Sequence, residues 1–331
     1  MKSTFKPSRL SSIDQFRGFA ILLMVLANFM GEVNSIPAWL KHAHDVGLTV
    51  IDLIAPFFIF AIGLTYRRSL QRRVAAQGWG ATIEHFVRRW LVLLGIGALL
   101  VTGEILIYAP GETNWGVLQA IAVAGLVTLP ALRLPTWGRA IAGLGLLAGY
   151  QIMLQVPVFG GLDKFWLAQV LGAPHGGLLG ALSWSAMLIL ASVLADLFHD
   201  EARGRRWFGW AAGLTLAAGA LLALWAPVSK NRVSASYVLI SLGASALLFG
   251  LFHLLCDRRG LSFKLFDVWG QNPLLLYVLH LILLGLIVLP PWPWWNVDAP
   301  IWLAVLQMAG LVGVLSWIGL FLQRKQWLFS L

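Results

Sequence analysis

The chain contains repeated apolar stretches of about 20 residues, and no other feature limits its fold so strongly. A helix needs about 20 mostly apolar residues to cross the hydrocarbon core of a bilayer. The runs are continuously apolar and do not alternate with polar residues, which favours helices over the strands of a β-barrel. The sequence therefore predicts an all-α polytopic membrane protein with about ten transmembrane helices. The predicted spans are Ile13–Met30, Gly47–Tyr66, Trp90–Tyr108, Trp115–Leu132, Ala140–Val158, Leu178–Phe198, Phe208–Ala226, Ser236–Cys256, Gly270–Leu289 and Pro300–Leu322.

The composition excludes several other classes of protein. Charged residues make up 11% of the chain and hydrophobic residues 59%, whereas ordinary globular domains have roughly 25% charged residues. A soluble enzyme and a disordered chain are both excluded by these values. The single cysteine, Cys256, cannot form an intrachain disulfide or a cysteine-based metal site. The connections between the spans are too short for a soluble domain, so we expect one transmembrane domain over residues 1–331.

The distribution of basic residues predicts the orientation of the spans. If the N-terminus is cytoplasmic, 20 of the 24 lysines and arginines fall on the cytoplasmic side, and four, Lys41, Lys164, Lys230 and Arg232, fall outside. Cytoplasmic loops carry an excess of Lys and Arg. The sequence thus predicts a multi-pass protein of the cell membrane with both termini in the cytoplasm. The net charge of +10 then reflects topology, and no nucleic-acid partner is expected.

Polar groups in or beside the first apolar span are candidates for function, because such groups are costly in a membrane. Asp14 and Arg17 are one helical turn apart at the start of this span. Asn28 follows Arg17 by eleven residues, which is about 16 Å along a helix. Each also has a structural interpretation: an anchor at the helix start for Asp14 and Arg17, and a hydrogen bond between helices for Asn28.

The loop after the first span carries the densest cluster of acid–base groups in the chain. Histidine beside carboxylates suits proton abstraction from an amine or a hydroxyl. The same set could bind a metal, but no histidine pair at i, i+4 supports this, so we expect no metal. Loop histidines are also commonly exposed without a function. The cluster consists of Glu32, His42, His44, Asp45, Thr49 and Asp52.

Four later polar residues are further candidates: Gln119, Lys230, Asn272 and His280. Asn272 and His280 are eight residues apart, so they lie on roughly one face of a helix. A buried core histidine is the alternative interpretation of His280.

Two segments, RLSSIDQFRGFAILLMVLAN and HAHDVGLTVIDLIAPFFIF, together carry a resemblance to a known family. They resemble the transmembrane acetyltransferase family typified by heparan-α-glucosaminide N-acetyltransferase. The strongest block covers residues 9–66, where Ala55 replaces the usual phenylalanine. Three later pieces, GVLQAIAV, PVSKNRVSASYVL and GQNPLLLYVLH, are similar to the family in the same order. The family's fixed positions in the opening block fall on Asp14, Arg17, Asn28, His42, Gly47, Thr49, Asp52 and Pro56.

The resemblance implies an activity. Acetyl-CoA would bind from the cytoplasm and its acetyl group would pass to an amine or hydroxyl of an amino-sugar or glycan acceptor on the outer face. His42 would be the base or a transient acetyl carrier, with Asn28 and Asp52 as orienting groups. The implied cofactor-binding residues are Arg17, Asp14, Gln119, Lys230, Asn272 and His280. The resemblance also implies contact with membrane lipid and a homodimer.

Two other functions are weighed against this one. Membrane enzymes that O-acylate surface glycans have an arginine followed eleven residues later by histidine, whereas here Arg17 is followed at that spacing by Asn28. A proton-coupled transporter, or a flippase for a lipid-linked sugar, would also use intramembrane Asp and His. However, the chain has no recognisable inverted repeat, the usual sign of such carriers.

Overall fold

A computed structural model of the protein describes residues 10–31, 33–108, 115–155, 162–200 and 205–327. All regular secondary structure in these ranges is helical. Glu32, Arg9 and the predicted end of the fifth span at Val158 lie outside the described residues. The α-helices are α1 Ser11–Gly31, α2 Ile54–Tyr108, α3 Val117–Ala131, α4 Thr136–Gln155, α5 Leu162–Leu171, α6 Gly177–His199, α7 Arg206–Leu222, α8 Ala235–Phe252, α9 Lys264–Gln271, α10 Pro273–Val288 and α11 Ile301–Arg324.

The helices confirm the all-α membrane class. Within the described ranges, five helical segments are long and apolar enough to cross a membrane, and a sixth is counted if the bent pair α9–α10 forms one span. A helix lies at each of the ten predicted spans. Some of these helices, such as α3, are short. The number of ten crossings and their orientation therefore stay predictions.

The second predicted span begins later than expected, because residues 47–50 are irregular and α2 starts only at Ile54. A short 3₁₀ turn, Ile51–Leu53, precedes it. Pro56 lies in the first turn of α2, where its missing N–H is not needed. The delayed start leaves Asp52 at the junction between the loop and the helix, and not inside the span as its predicted start at Gly47 implied.

Helix α2 is a hairpin of two helices and contains most of the second and third predicted spans together with the residues between them. This segment is helical on both sides of Gly78, whose φ of 79° lies in the left-handed region that glycine tolerates best. The indole Nε1 of Trp90 donates to the hydroxyl of Tyr66 at 2.6 Å. In a straight helix these residues would be about 36 Å apart, so the two halves fold back on each other.

The chain divides into two compact units, one of residues 36–247 and a smaller one of residues 1–35 and 248–330. In the larger unit, α6 is the central helix and packs against α2, α3, α4, α5 and α7. In the smaller unit, α1 packs most closely against α9. The boundary falls inside α8, which continues into a π-helix, His253–Arg258. The expectation of one domain over residues 1–331 stays a prediction.

The ninth predicted span is broken near its start. Helices α9 and α10 meet at Asn272 with a bend of 92°. Pro273 follows, and a residue before proline is disfavoured in the helical conformation. The bend places Asn272 at the beginning of α10 and His280 inside it, two turns further on.

Candidate active site

The larger unit holds a histidine–aspartate pair at the start of α2. His42 lies in the irregular segment before α2 and its side chain is 43% exposed, whereas the Asp52 side chain is completely buried. The two side chains meet through His42 Nδ1 and Asp52 Oδ1 at 2.8 Å. The buried Asp52 carboxylate therefore orients the exposed His42 imidazole through its Nδ1 atom.

The Asp52 carboxylate is surrounded by hydrogen-bond donors. Its Oδ2 accepts bonds from the Thr49 backbone N–H at 2.9 Å and the Thr49 hydroxyl at 3.0 Å. The Ala43 N–H donates to the same oxygen at 3.3 Å. The backbone carbonyl of Asp52 accepts a bond from the Tyr237 hydroxyl at 2.7 Å. Because the carboxylate only accepts in this arrangement, its ionised form fits all of these donors.

This arrangement sets the chemistry of His42. A carboxylate at Nδ1 selects the tautomer that carries a proton on Nδ1, which leaves the lone pair on Nε2. Such an imidazole can take a proton from a substrate, and the carboxylate then stabilises the imidazolium that forms. The pair can equally activate Nε2 as a nucleophile.

A lysine from a distant part of the chain completes the cluster. The Lys230 ammonium lies 3.9 Å from Asp52 Oδ1, and its side chain is 10% exposed. Burial lowers the pKa of this ammonium, while the Asp52 charge acts in the opposite direction. We call His42, Thr49, Asp52 and Lys230 the His42 cluster.

The segment that carries His42 is attached to the loop that carries Lys230. Asp45 forms an ion pair with Arg232, whose Nε donates to Oδ2 at 3.0 Å, and Asp45 also accepts a bond from the Ser229 hydroxyl at 2.8 Å. The Gly47 N–H donates to the Val228 carbonyl at 2.8 Å. These contacts, which we call the loop clamp, hold together two segments that are about 185 residues apart in sequence.

His44 differs from its neighbour. Its backbone carbonyl accepts a bond from Asn231 Nδ2 at 2.5 Å. Its imidazole is exposed, and within the described ranges it has no hydrogen bond or ion pair. Of the two loop histidines, only His42 is therefore oriented by a carboxylate.

The smaller unit brings together two other predicted residues. Asn28 Nδ2 lies 2.9 Å from His280 Nε2, which joins α1 to α10 across 252 positions. His280 is completely buried. The amide of Asn28 thus contacts His280, a residue that the sequence analysis assigned to cofactor binding.

The remaining predicted residues occupy separate positions. Arg17 and Asp14 form an ion pair at 3.3 Å on α1. Gln119 Oε1 accepts a bond from the Gly116 N–H at 2.5 Å and so caps the start of α3. Asn272 Nδ2 donates to the Trp327 carbonyl at 3.1 Å. These contacts are compatible with structural roles, and the assignment of these residues to the cofactor stays a prediction.

Sequence reasoning missed some of the groups around His42. Tyr237 lies in an apolar run, and nothing in the sequence indicates that its hydroxyl holds Asp52. His175 precedes two glycines, a pattern typical of a left-handed turn, but the packing of this turn against Asn231 and Val233 is not visible in the sequence. Among the described residues, no group of three or more His, Cys, Asp or Glu side chains could hold a metal ion.

Comparisons with known proteins give the family. A family model described as the catalytic region of heparan-alpha-glucosaminide N-acetyltransferase matches residues 9–226. The curated heparan-alpha-glucosaminide N-acetyltransferase of Homo sapiens is 34% identical over 131 residues, which are 37% of this chain and 18% of the relative. The protein of the same name from Mus musculus is 34% identical over 130 residues, 36% of this chain and 18% of the relative. The alignment thus spans less than a fifth of the length of these relatives.

Proposed function

Because the chain belongs to the family defined by the catalytic region of heparan-alpha-glucosaminide N-acetyltransferase, we propose that it is a membrane acetyltransferase that uses acetyl-CoA. The acceptor is the amine, or a hydroxyl, of an amino-sugar-type glycan. The names of the curated relatives support this acceptor class. The observation that carries the proposal is the exposed His42 imidazole held at 2.8 Å by the buried Asp52 carboxylate.

In the proposed reaction, His42 Nε2 takes a proton from the acceptor while the acceptor atom attacks the thioester carbonyl of acetyl-CoA. The new bond forms between that atom and the acetyl carbon, the C–S bond breaks, and the thiolate of coenzyme A takes up the proton. Asp52 stabilises the transient imidazolium. The Lys230 ammonium, next to Asp52, is suited to stabilise the negative charge on the carbonyl oxygen in the transition state.

His42 Nε2 can take part in acetyl transfer in two ways. His42 Nε2 acts as the base for direct transfer, or it attacks the thioester itself and carries the acetyl group until the acceptor arrives. Incubation with acetyl-CoA and labelled coenzyme A, without acceptor, separates them. Label exchange into acetyl-CoA supports the carrier, and its absence in an active enzyme supports direct transfer.

For the cofactor, we propose that Arg17 meets the phosphates of acetyl-CoA, since phosphates are bound by Arg and Lys donors. Asp14, Gln119, Lys230, Asn272 and His280 are the further cofactor-binding candidates. The distance from Arg17 to Asn28 along the continuous helix α1 is about 16 Å. This distance is similar to the length of the extended pantetheine arm, which separates the thioester of acetyl-CoA from its phosphates.

The topology belongs to the same proposal. We place both termini in the cytoplasm, with ten crossings in the cell membrane and the His42 cluster at the outer face. We also propose that the protein forms a homodimer in the membrane. A monomeric mass in mild detergent would contradict the dimer.

The test compares the two loop histidines in purified protein. His42→Ala is expected to reduce acetyl transfer to glucosamine by roughly 10²–10⁴-fold, the usual contribution of a general base, while acetyl-CoA binding persists. His44→Ala is the matched control, because His44 is two residues away and also exposed but lacks a carboxylate partner among the described residues. A fully active His42→Ala variant would contradict the assignment.

A further inference from the structure

A second histidine of the larger unit lies in a turn that packs on the loop carrying Lys230, and it takes no part in the mechanism above. His175 is in the short turn Pro174–Gly176 before α6. The next residue, Gly176, packs against the loop that carries Lys230, since a Cβ atom there would lie 3.3 Å from the Asn231 carbonyl. The Nδ1 atom of His175 is buried and has no hydrogen-bond partner among the described residues.

The backbone at His175 is held in an unfavourable conformation. Its φ is 56°, and Gly176 and Gly177 follow with φ of 76° and 59°. Glycine tolerates this region, whereas a histidine there costs of the order of 1 kcal/mol or more. A glycine at position 175 would relieve this strain.

Neighbouring contacts fix the turn rigidly. The His175 carbonyl accepts a bond from Trp184 Nε1 at 3.1 Å. The Trp184 ring packs edge-on against Tyr237, with centroids 5.9 Å apart, and Tyr237 is the residue that holds the backbone of Asp52. A continuous set of contacts therefore runs from the His175 turn to the carboxylate behind His42.

On its other side, the turn packs closely against residues 231–233. A Cβ atom at Gly176 would lie 3.0 Å from Val233 Cγ2 and 3.3 Å from the Asn231 carbonyl. Val233 is itself strained, with φ of 48°, and its carbonyl accepts a bond from the Ser183 hydroxyl at 2.7 Å. The turn thus packs directly on the loop that carries Lys230.

We propose that His175 is an acceptor-binding residue of the His42 site, and that its Nδ1 forms a hydrogen bond with a hydroxyl of the acceptor sugar other than the reacting group. This inference rests on the proposed acetyl transfer and adds a determinant of acceptor specificity to it. The acceptor would then be a polyhydroxylated amine. A buried polar atom without a partner is costly, and a sugar hydroxyl supplies the missing bond.

The experiment measures KM and kcat for glucosamine and KM for acetyl-CoA with the wild type, His175→Gly and His175→Asn. His175→Gly removes the imidazole and relieves the backbone strain, so the variant is expected to fold. Loss of one hydrogen bond should raise the KM for glucosamine on the order of tenfold, with kcat and the KM for acetyl-CoA nearly unchanged. Asparagine tolerates the left-handed region and offers a donor or acceptor near the position of Nδ1, so His175→Asn should recover a lower KM.

The outcomes separate the two proposals. An active wild type with an unchanged KM for glucosamine in His175→Gly would overturn the role of His175 alone. A loss of kcat or of thermal stability with unchanged KM, not recovered by asparagine, would indicate a structural role and also overturn it. No acetyl transfer by the wild type would overturn the proposed function together with this inference.

Discussion

At the scale of single residues, the site depends on one buried carboxylate. Asp52 receives the imidazole N–H of His42, two backbone N–H groups and the Thr49 hydroxyl, and the Lys230 ammonium lies nearby. Buried charges persist when they are paired and hydrogen-bonded. The five donor groups named above surround the two carboxylate oxygens, so the buried charge of Asp52 is paired and hydrogen-bonded. An uncharged amide of the same shape could not accept from all of them, because half of it is a donor.

Asp52→Asn is accordingly expected to retain the fold and to lose acetyl transfer. The amide can place its NH₂ group toward His42, which favours the wrong tautomer and leaves the imidazolium without its counter-charge. The expected loss in kcat is roughly 10²–10⁴-fold. Asp267→Asn is the matched control, since Asp267 accepts an exposed bond from Ser262. Comparable activity of the two variants would contradict the role of Asp52.

The residues of the site were only partly predictable. His42 and Asp52 belong to one short motif, so the sequence predicted both, and the structure places them in contact. Lys230 was predicted as a cofactor ligand, but it lies beside Asp52, about 180 positions away in sequence. The contact of Asn28 with His280 was not predicted either, because a single sequence carries no signal for pairings over such separations.

At the scale of secondary-structure elements, the loop clamp decides where His42 lies. The segment around His42 has no regular structure of its own, apart from a 3₁₀ turn, Ala38–Leu40. It is held in place by the segment of residues 228–232, which contacts Asp45, Gly47 and the backbone of His44. The position of the His42 imidazole therefore depends on contacts with a distant segment as well as on its bond to Asp52.

The clamp should make stability depend on pH in a defined direction. The hydrogen bond from Arg232 is the main cause that lowers the pKa of Asp45 below its usual 3.8. A lowered pKa in the folded state stabilises the protein in full above pH 3.8, and this contribution is lost as the pH falls below 3.8. Asp45→Asn should lower the unfolding midpoint at pH 7 by an amount corresponding to about 1 kcal/mol, since the pair is about one-third exposed.

The measurement is thermal unfolding of the wild type, Asp45→Asn, Arg232→Gln and the double variant. Both single variants and the double variant should be equally destabilised at neutral pH, because either substitution removes the same interaction. The difference from the wild type should shrink below pH 3.8. Additive effects, or a difference that persists at pH 3, would contradict the clamp.

Close packing of α1 and α9 is a second feature at this scale. A Cβ atom at Gly270 would lie 2.0 Å from the Asp14 carbonyl oxygen, and one at Gly18 would lie 2.0 Å from the Phe266 carbonyl oxygen. The two backbones are thus in direct contact, as is common for small residues between membrane helices. Gly270→Ala should destabilise the protein by about 1–3 kcal/mol. Gly285→Ala is the control, because nothing lies within 4 Å of a Cβ at that position; equal unfolding midpoints would contradict this packing.

Helix positions were predictable because apolar length determines them, and a helix occurs at each predicted span. The connections between the helices were not predictable in the same way. Residues 67–89, which carry six arginines, fall between two predicted spans, yet they are helical on both sides of Gly78. A positively charged helix that extends beyond the membrane has the same composition as a positively charged loop, so composition could not distinguish them. The break at Asn272 depends on a single proline within an apolar run.

At the scale of the whole molecule, contacts within each unit agree with the predicted sidedness of the loops. In the larger unit, His44 contacts Asn231, and both are predicted to lie outside. At the predicted cytoplasmic ends of the same unit, Asp196 pairs with Arg67 and Arg139. In the smaller unit, Asn34 bonds to Asp298 on the predicted outer side and Ser12 to Asp257 on the predicted inner side. These contacts join segments that are predicted to share a side of the membrane, but they would be the same in either orientation, so the orientation stays a prediction.

The last prediction tests this topology with single cysteines. The only native cysteine, Cys256, is buried and free, so Cys256→Ser provides a background without reactive thiols. Positions 44 and 297 are exposed and predicted to lie outside, and positions 71 and 262 are exposed and predicted to lie inside. An impermeant maleimide should label His44→Cys and Val297→Cys in intact cells, and Gln71→Cys and Ser262→Cys only after permeabilisation. Labelling of position 71 from outside would reverse the orientation, whereas labelling of 44 but not 297 would change the number of crossings between them. His42 lies two residues from position 44, so the same experiment decides from which side the proposed acceptor would reach its imidazole.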